Sequence, residues 1–152
     1  MGTATLNDIR AIAASVVDPE IPVLTIDDLG ILREVRADDG RVVVTITPTY
    51  SGCPAMLQIE GDVIRALHDA GYEDVRVETI FQPAWTTEWM SESGRRKLAA
   101  FGIAPPTNPA DVVCPRCQAG EPRTVAQFGS TACKAFMVCS DCGEPFDYFK
   151  SH

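Results

Sequence analysis

The sequence predicts an α+β fold: a small helix–strand–strand–helix–strand domain followed by a four-cysteine zinc-ribbon mini-domain of β-structure. Three observations carry that expectation. Apolar residues recur at helical spacing in two separate stretches, with short alternating runs between and after them. A proline-rich stretch then interrupts the pattern. Beyond it, two Cys-x-x-Cys pairs stand in a tail of fewer than 50 residues.

Leu6, Ile9, Ile12 and Val16 set the first helical stripe, and Thr5 with Asp8 fits a capping box, so residues 6–16 read as a helix. "DPEIP" (Asp18 to Pro22) ends it, because the residue before a proline is pushed out of helical geometry. "LGILREVRA" and "RVVVTIT" flank "DDG" and read as a hairpin. In the second run Val42, Val44 and Ile46 alternate with Arg41, Val43, Thr45 and Thr47, the pattern of a half-buried strand. Met56, Ile59, Val63, Ile64 and Leu67 trace a second helix, with Pro54 suited to its first turn and Gly71 to its stop. "VRVETI" is a third short strand. Two short helices follow, capped at Gly102, in which Trp85 and Trp89 share one face and pack on the sheet, a partner-binding aromatic patch being the alternative. The expected organisation is therefore a first domain over 1–104, a linker over 105–112 ("PPTNPADV") and a metal-binding ribbon over 113–152.

The bulk numbers narrow the function classes. The chain has 152 residues, 45% of them hydrophobic, enough for a real core. Its net charge of −8 excludes a nucleic-acid binder or an anionic-membrane binder as the natural reading. Residues 1–104 hold 9 basic and 16 acidic groups, against 4 and 5 in residues 105–152. No apolar run has membrane-helix length and the N-terminus shows no signal core, so a cytoplasmic location is expected. There cysteines serve more often as metal ligands or reactive thiols than as disulfides.

Cys114 and Cys117, with Cys139 and Cys142, form two such pairs with 21 residues between them. In each pair a tight turn aims backbone amides at the sulfurs, so four thiolates meet one tetrahedral ion. Zinc is the expected ion; iron accepts the same ligands, and spacing does not distinguish them. So short a tail cannot build much core, and metal binding is expected to supply its folding energy. Two disulfides are the competing reading. Cys133, in "FGSTACKAF", is either a small buried residue or a free thiol that helps hold a second metal species. Cys53 stands alone in the first 113 residues, where a strand turns into a helix. A helix N-terminus favours thiolate. Cys53 is thus either a nucleophile or metal ligand, or a buried residue at an ordinary helix start. Asp18 and Glu20 add two carboxylates in a stiff loop, with turn formation as their plainer role. There is no Ser-His-Asp set, phosphate-binding glycine loop or HExxH.

"DPEIP…TIDDLGILREV", "VVVTITPTYSGCPAM" and "PAWTTEWMSESGRRKLAAFGI" resemble the MIP18-type (DUF59) domain associated with iron–sulfur protein maturation. With the ribbon, "FGSTACKA" and "EPFDYFK", the whole chain resembles the D-subunit (PaaD-type) family of bacterial phenylacetyl-CoA epoxidase systems. The resemblance implies a place in aerobic phenylacetate degradation, beside a di-iron oxygenase and an iron–sulfur flavin reductase. It implies functional roles for Cys53, Asp18 and Glu20, and that the catalytic iron sits in another subunit. The expected function is an accessory or maturation factor, not an enzyme by itself. Cys53 would be a transient ligand of a metal or iron–sulfur cluster, with the reductase as principal partner. A stoichiometric structural subunit is the alternative, and a thiol enzyme using Cys53 a third reading. The sequence leaves self-association into a homo-oligomer open.

Overall fold

Helix α1 (Leu6–Ala14) begins as expected: the Thr5 hydroxyl accepts from the Asp8 amide at 3.2 Å, and the Asp8 carboxylate accepts from the Thr5 amide at 3.0 Å. The structure is a computed structural model that describes residues 5–49, 54–129 and 131–151. The same capping device recurs at Thr25 and Asp28, where it starts a one-turn helix α2 (Ile26–Leu29) that Gly30 closes in left-handed conformation.

Strands β1 (Leu32–Asp38) and β2 (Arg41–Ile46) pair antiparallel. Asp39 and Gly40 between them both take positive φ, the backbone of a two-residue hairpin turn. Helix α3 (Ala55–Asp69) then crosses to β3 (Val75–Thr79), which lies parallel to β2. The sheet order is β1-β2-β3. Ile59, Val63 and Leu67 of α3 are completely buried.

The half-buried pattern expected for β2 needs correction. Val43 and Thr45 are buried as well as Val42, Val44 and Ile46. The reason is that β2 is the central strand. On its otherwise polar face the Arg36 side chain reaches from β1 to Glu78 of β3 at 3.1 Å, spanning β2. A long ion pair thus shields residues that alternation alone assigns to solvent.

A second correction concerns the tryptophans. Trp85 is not helical; it lies in the extended segment before a 3-10 turn (Thr87–Trp89), so the two rings share no helical face. Trp85 is buried, and its indole Nε1 donates to the Leu29 carbonyl at 2.8 Å.

Contacts divide the chain into two compact units, one ending at Trp85 and one beginning at Thr86. The second holds α4 (Glu92–Phe101), β4 (Ile103–Ala104), β5 (Arg123–Ala126), β6 (Lys134–Val138) and β7 (Pro145–Phe149), with sheet order β4-β7-β6-β5. β4 pairs parallel with β7, and Arg95 of α4 donates to the carbonyls of Pro106 and Thr87. Tyr148 donates to the Thr107 carbonyl at 2.7 Å. The proline stretch is therefore tied into the second unit by strand pairing and side-chain bonds. That is why the division falls ahead of the position read from proline composition. Val112, Cys114, Ala135, Met137, Cys139, Phe146 and Tyr148 form this unit's core.

Candidate metal centre and thiol–acid edge

Two knuckles build the metal centre. In the first, Gln118 donates its amide to the Cys114 carbonyl and takes positive φ; in the second, Gly143 does the same with Cys139. Each turn aims amides at sulfur: Arg116 at Cys114, Asp141 and Cys142 at Cys139, all at 3.4 Å. Arg116 and Glu144 tie the knuckles together at 2.9 Å.

The Sγ atoms of Cys114, Cys117, Cys139 and Cys142 lie within 4.8 Å of one another. Cys117 to Cys139 is 3.5 Å and Cys114 to Cys142 is 3.8 Å. Thiolates around a tetrahedral zinc at about 2.3 Å stand about 3.8 Å apart, so the donor set and its spacing fit one such ion. These four cysteines are free, so the disulfide reading fails. The spacing alone does not separate zinc from iron.

The mutual electrostatics of the four thiols are informative. The amides of Cys142 and Asp141 bring the Cys139 thiol down to about 6. The Ala119 amide pulls Cys117 down, but the Cys139 sulfur, lost hydration and the other two sulfurs outweigh it and push Cys117 up to about 12. Cys142 also rises, because lost hydration and Cys139 outweigh the Glu144 amide. The shifts thus favour thiolate at Cys139 and the protonated thiol at Cys117 and Cys142 near pH 7. A dication bound by all four sulfurs must displace those protons. Metal binding at pH 7 is therefore expected to release at least two protons per ion, and affinity should fall as pH falls, since acid competes for the same sulfurs. Calorimetric titration in two buffers of different ionisation enthalpy measures this; a proton release of zero would refute the four-thiolate site.

Cys133 does not join this cluster. It is buried, with its Sγ 2.9 Å from the Thr131 hydroxyl. Cys53 lies outside the described residues. Asp18 is buried, and its Oδ1 accepts from the amides of Glu20 at 2.7 Å and Ile21 at 3.1 Å. Its turn-forming role is thus real. Glu20 is half-buried.

Backbone bonds bring that loop to the exit of β2. Asp18 donates to Leu24, Ile26 to Val16, Ile31 to Ile26, and Thr47 to Ile31. The edge where β2 leaves its sheet, where α3 begins and where parallel β3 ends therefore also holds the Asp18 turn. Thr45, in β2, and Thr47, just past its end, carry two buried hydroxyls with no hydrogen-bond partner among the described residues. Sequence reasoning treats them only as strand alternation. The available signal is a pair of threonines, two apart, at the end of an otherwise aliphatic run.

These features define a class: a small α+β unit joined to a β-ribbon unit whose four cysteines are set to hold one metal ion. The family models agree. Residues 6–79 match the iron–sulfur cluster assembly protein family, and residues 103–150 match the PaaD zinc beta ribbon domain, whose span takes in β4. The chain is 44% identical to an Escherichia coli protein named as the D component of 1,2-phenylacetyl-CoA epoxidase, over 95% of this chain and 92% of the relative. It belongs to that PaaD-type family. It is also 38% identical to an iron–sulfur protein maturation auxiliary factor of Porphyromonas gingivalis, over 62% of this chain and 90% of the relative. Among solved structures, a DUF59 domain from Bacillus anthracis matches with a TM-score of 0.57 and 32% identity, over 61% of this chain and 90% of that one.

Proposed function

We propose that this chain is an accessory factor that matures a metal centre of a phenylacetyl-CoA epoxidase system, acting in the cytoplasm. The observation that carries the reading is the fusion, in one chain, of an iron–sulfur-assembly unit with a ribbon, in a sequence similar from end to end to the D component of an epoxidase. The client is the iron–sulfur reductase of the system. The cargo, iron or an iron–sulfur cluster, is handed over by ligand exchange, with Cys53 as its transient thiolate ligand. Asp18 holds the loop that carries Glu20, and Glu20 supplies the carboxylate that assists exchange. The ribbon holds zinc in Cys114, Cys117, Cys139 and Cys142, and Cys133 fills space beside Thr131. Zinc there fixes the two knuckles and takes no part in exchange.

Metal and labile-sulfide analysis of protein purified anaerobically tests this. Wild type should carry ribbon metal plus a substoichiometric amount of iron, and Cys53→Ser should keep the first and lose the second. Equal iron in both proteins would remove Cys53 from the carrier role.

A further inference from the structure

One face of the second unit's sheet is covered at one side and open at the other. Register sets Thr124 of β5 beside Met137 of β6, and Ala135 of β6 beside Tyr148 of β7, so these four side chains share that face. The segment 107–112 crosses it at the β7 side. Tyr148 and Ser151 donate to the Thr107 carbonyl, and Val112 is buried with Ala135, Met137 and Tyr148. Towards β5 the face opens, and Thr124 is exposed. The space left between is a cavity of about 380 Å³, inside the range of roughly 300–1,000 Å³ usual for small-molecule sites.

The chemistry of the lining narrows what fits. Val112, Ala135, Met137 and the Tyr148 ring, with two prolines, make an apolar floor and wall. Lys150 is the one cation of the lining and no carboxylate joins it, in a chain of net charge −8. The half-buried Lys150 is held in position: its ammonium donates to the Gln127 carbonyl at 2.9 Å and stands 4.3 Å from the centre of the Phe128 ring. An ammonium has three N–H donors, so two remain for a ligand. The Thr124 hydroxyl and Gln127 carboxamide, also in the lining, make no hydrogen bond among the described residues. One cation with neutral donors matches one carboxylate. A phosphate chain would call for a helix N-terminus or an arginine fork, and the cavity has neither. The first unit's cavity of about 410 Å³ is a contrast. There three arginines face four carboxylates, and Arg36 and Arg41 are already paired.

We propose that the cavity between β5 and the 107–112 segment binds a small monocarboxylate with an apolar body, of the arylacetate class. The carboxylate meets Lys150, with Gln127 and Thr124 as neutral donors, and the ring lies on Met137, Ala135 and Val112. The class follows from the lining; the particular acid used as probe, phenylacetate, rests on the epoxidase reading. The thioester of that acid with its coenzyme would bring several phosphate charges to a single ammonium and is not the ligand.

The full-length metal-loaded chain is titrated calorimetrically with phenylacetate and with phenylacetamide, its neutral isostere, and amide resonances are followed by NMR. Phenylacetate should bind saturably, one per chain, and at least tenfold tighter than the amide. Resonances of Thr124, Gln127, Met137 and Lys150 should move most. Lys150→Met should weaken the acid tenfold or more and leave the amide unchanged. Thr124→Trp, which narrows the open side from an exposed position, should weaken both ligands. Melting temperatures of both variants should stay near wild type. No saturable binding of phenylacetate, equal affinity for acid and amide, shifts centred on the first unit's cavity, or undiminished binding by Lys150→Met would each overturn the proposal. None of these results touches the maturation reading, which stands or falls on the iron carried by Cys53.

Discussion

Reductase isolated from cells carrying Cys53→Ala is expected to come out with its iron–sulfur cluster depleted, while the accessory chain itself stays folded and keeps its ribbon metal. Removing one sulfur costs about 1 kcal/mol or a little more in a packed site, too little to unfold a domain of this size. A carrier that has lost its transient ligand, by contrast, fails every client molecule. The acids should give the same phenotype, but the choice of substitution matters. Asp18 accepts two amide hydrogen bonds, so Asp18→Ala would leave the amides of Glu20 and Ile21 without an acceptor as well as removing the charge. Asp18→Asn keeps a carbonyl acceptor for the turn. Asp18→Asn with Glu20→Gln, added to Cys53→Ala, should give little further loss, because groups that act as one unit are not additive. The measurement is iron and sulfide per reductase flavin in each strain. A full complement in the Cys53→Ala strain would sink the maturation reading and leave the alternative, a stoichiometric structural subunit.

Chelation, or Cys114→Ser, is expected to unfold the ribbon while the β1-β2-β3 unit survives. Structural four-ligand zinc supplies on the order of 10–16 kcal/mol of apparent binding free energy to small domains. Here Cys114 and Cys139 are themselves members of the buried core, so losing the ion also loosens the packing around Met137 and Phe146. Amide exchange should accelerate across β5, β6 and β7, with fragments of the first unit unchanged. Unaltered protection in the ribbon after metal removal would show that its apolar core suffices without the ion.

The metal centre was legible because its chemistry is local. A two-residue gap between cysteines fixes a knuckle, and two knuckles need only meet. The α1 cap and the hairpin turn were legible for the same reason: Thr5 and Asp8, or Asp39 and Gly40, set their own backbone. α2 was within reach too, since Thr25 and Asp28 repeat the Thr5–Asp8 spacing, yet a single turn leaves no periodicity to notice. Illegible features were those decided by distant partners. Burial of Val43 and Thr45 depends on Arg36 meeting Glu78, 42 residues away in sequence. Trp85 looked helical by its spacing from Trp89, but an indole bond to Leu29 holds it in extended chain. The Asp18 turn was legible from its own residues, but not the chain of backbone bonds that carries it to the end of β2.

The parallel pairing of β4 with β7 bears on how such a chain arises. A ribbon joined by gene fusion at the prolines would arrive with β7 as a bare outer strand, its amides and carbonyls open to any passing chain. The two residues that close that edge, Ile103 and Ala104, lie upstream of the prolines, directly after α4. The ribbon's last strand is thus donated by sequence that composition would assign to the host domain. A recombination event, natural or engineered, that respects the proline boundary would sever a sheet; one that carries α4 along keeps the inherited module whole.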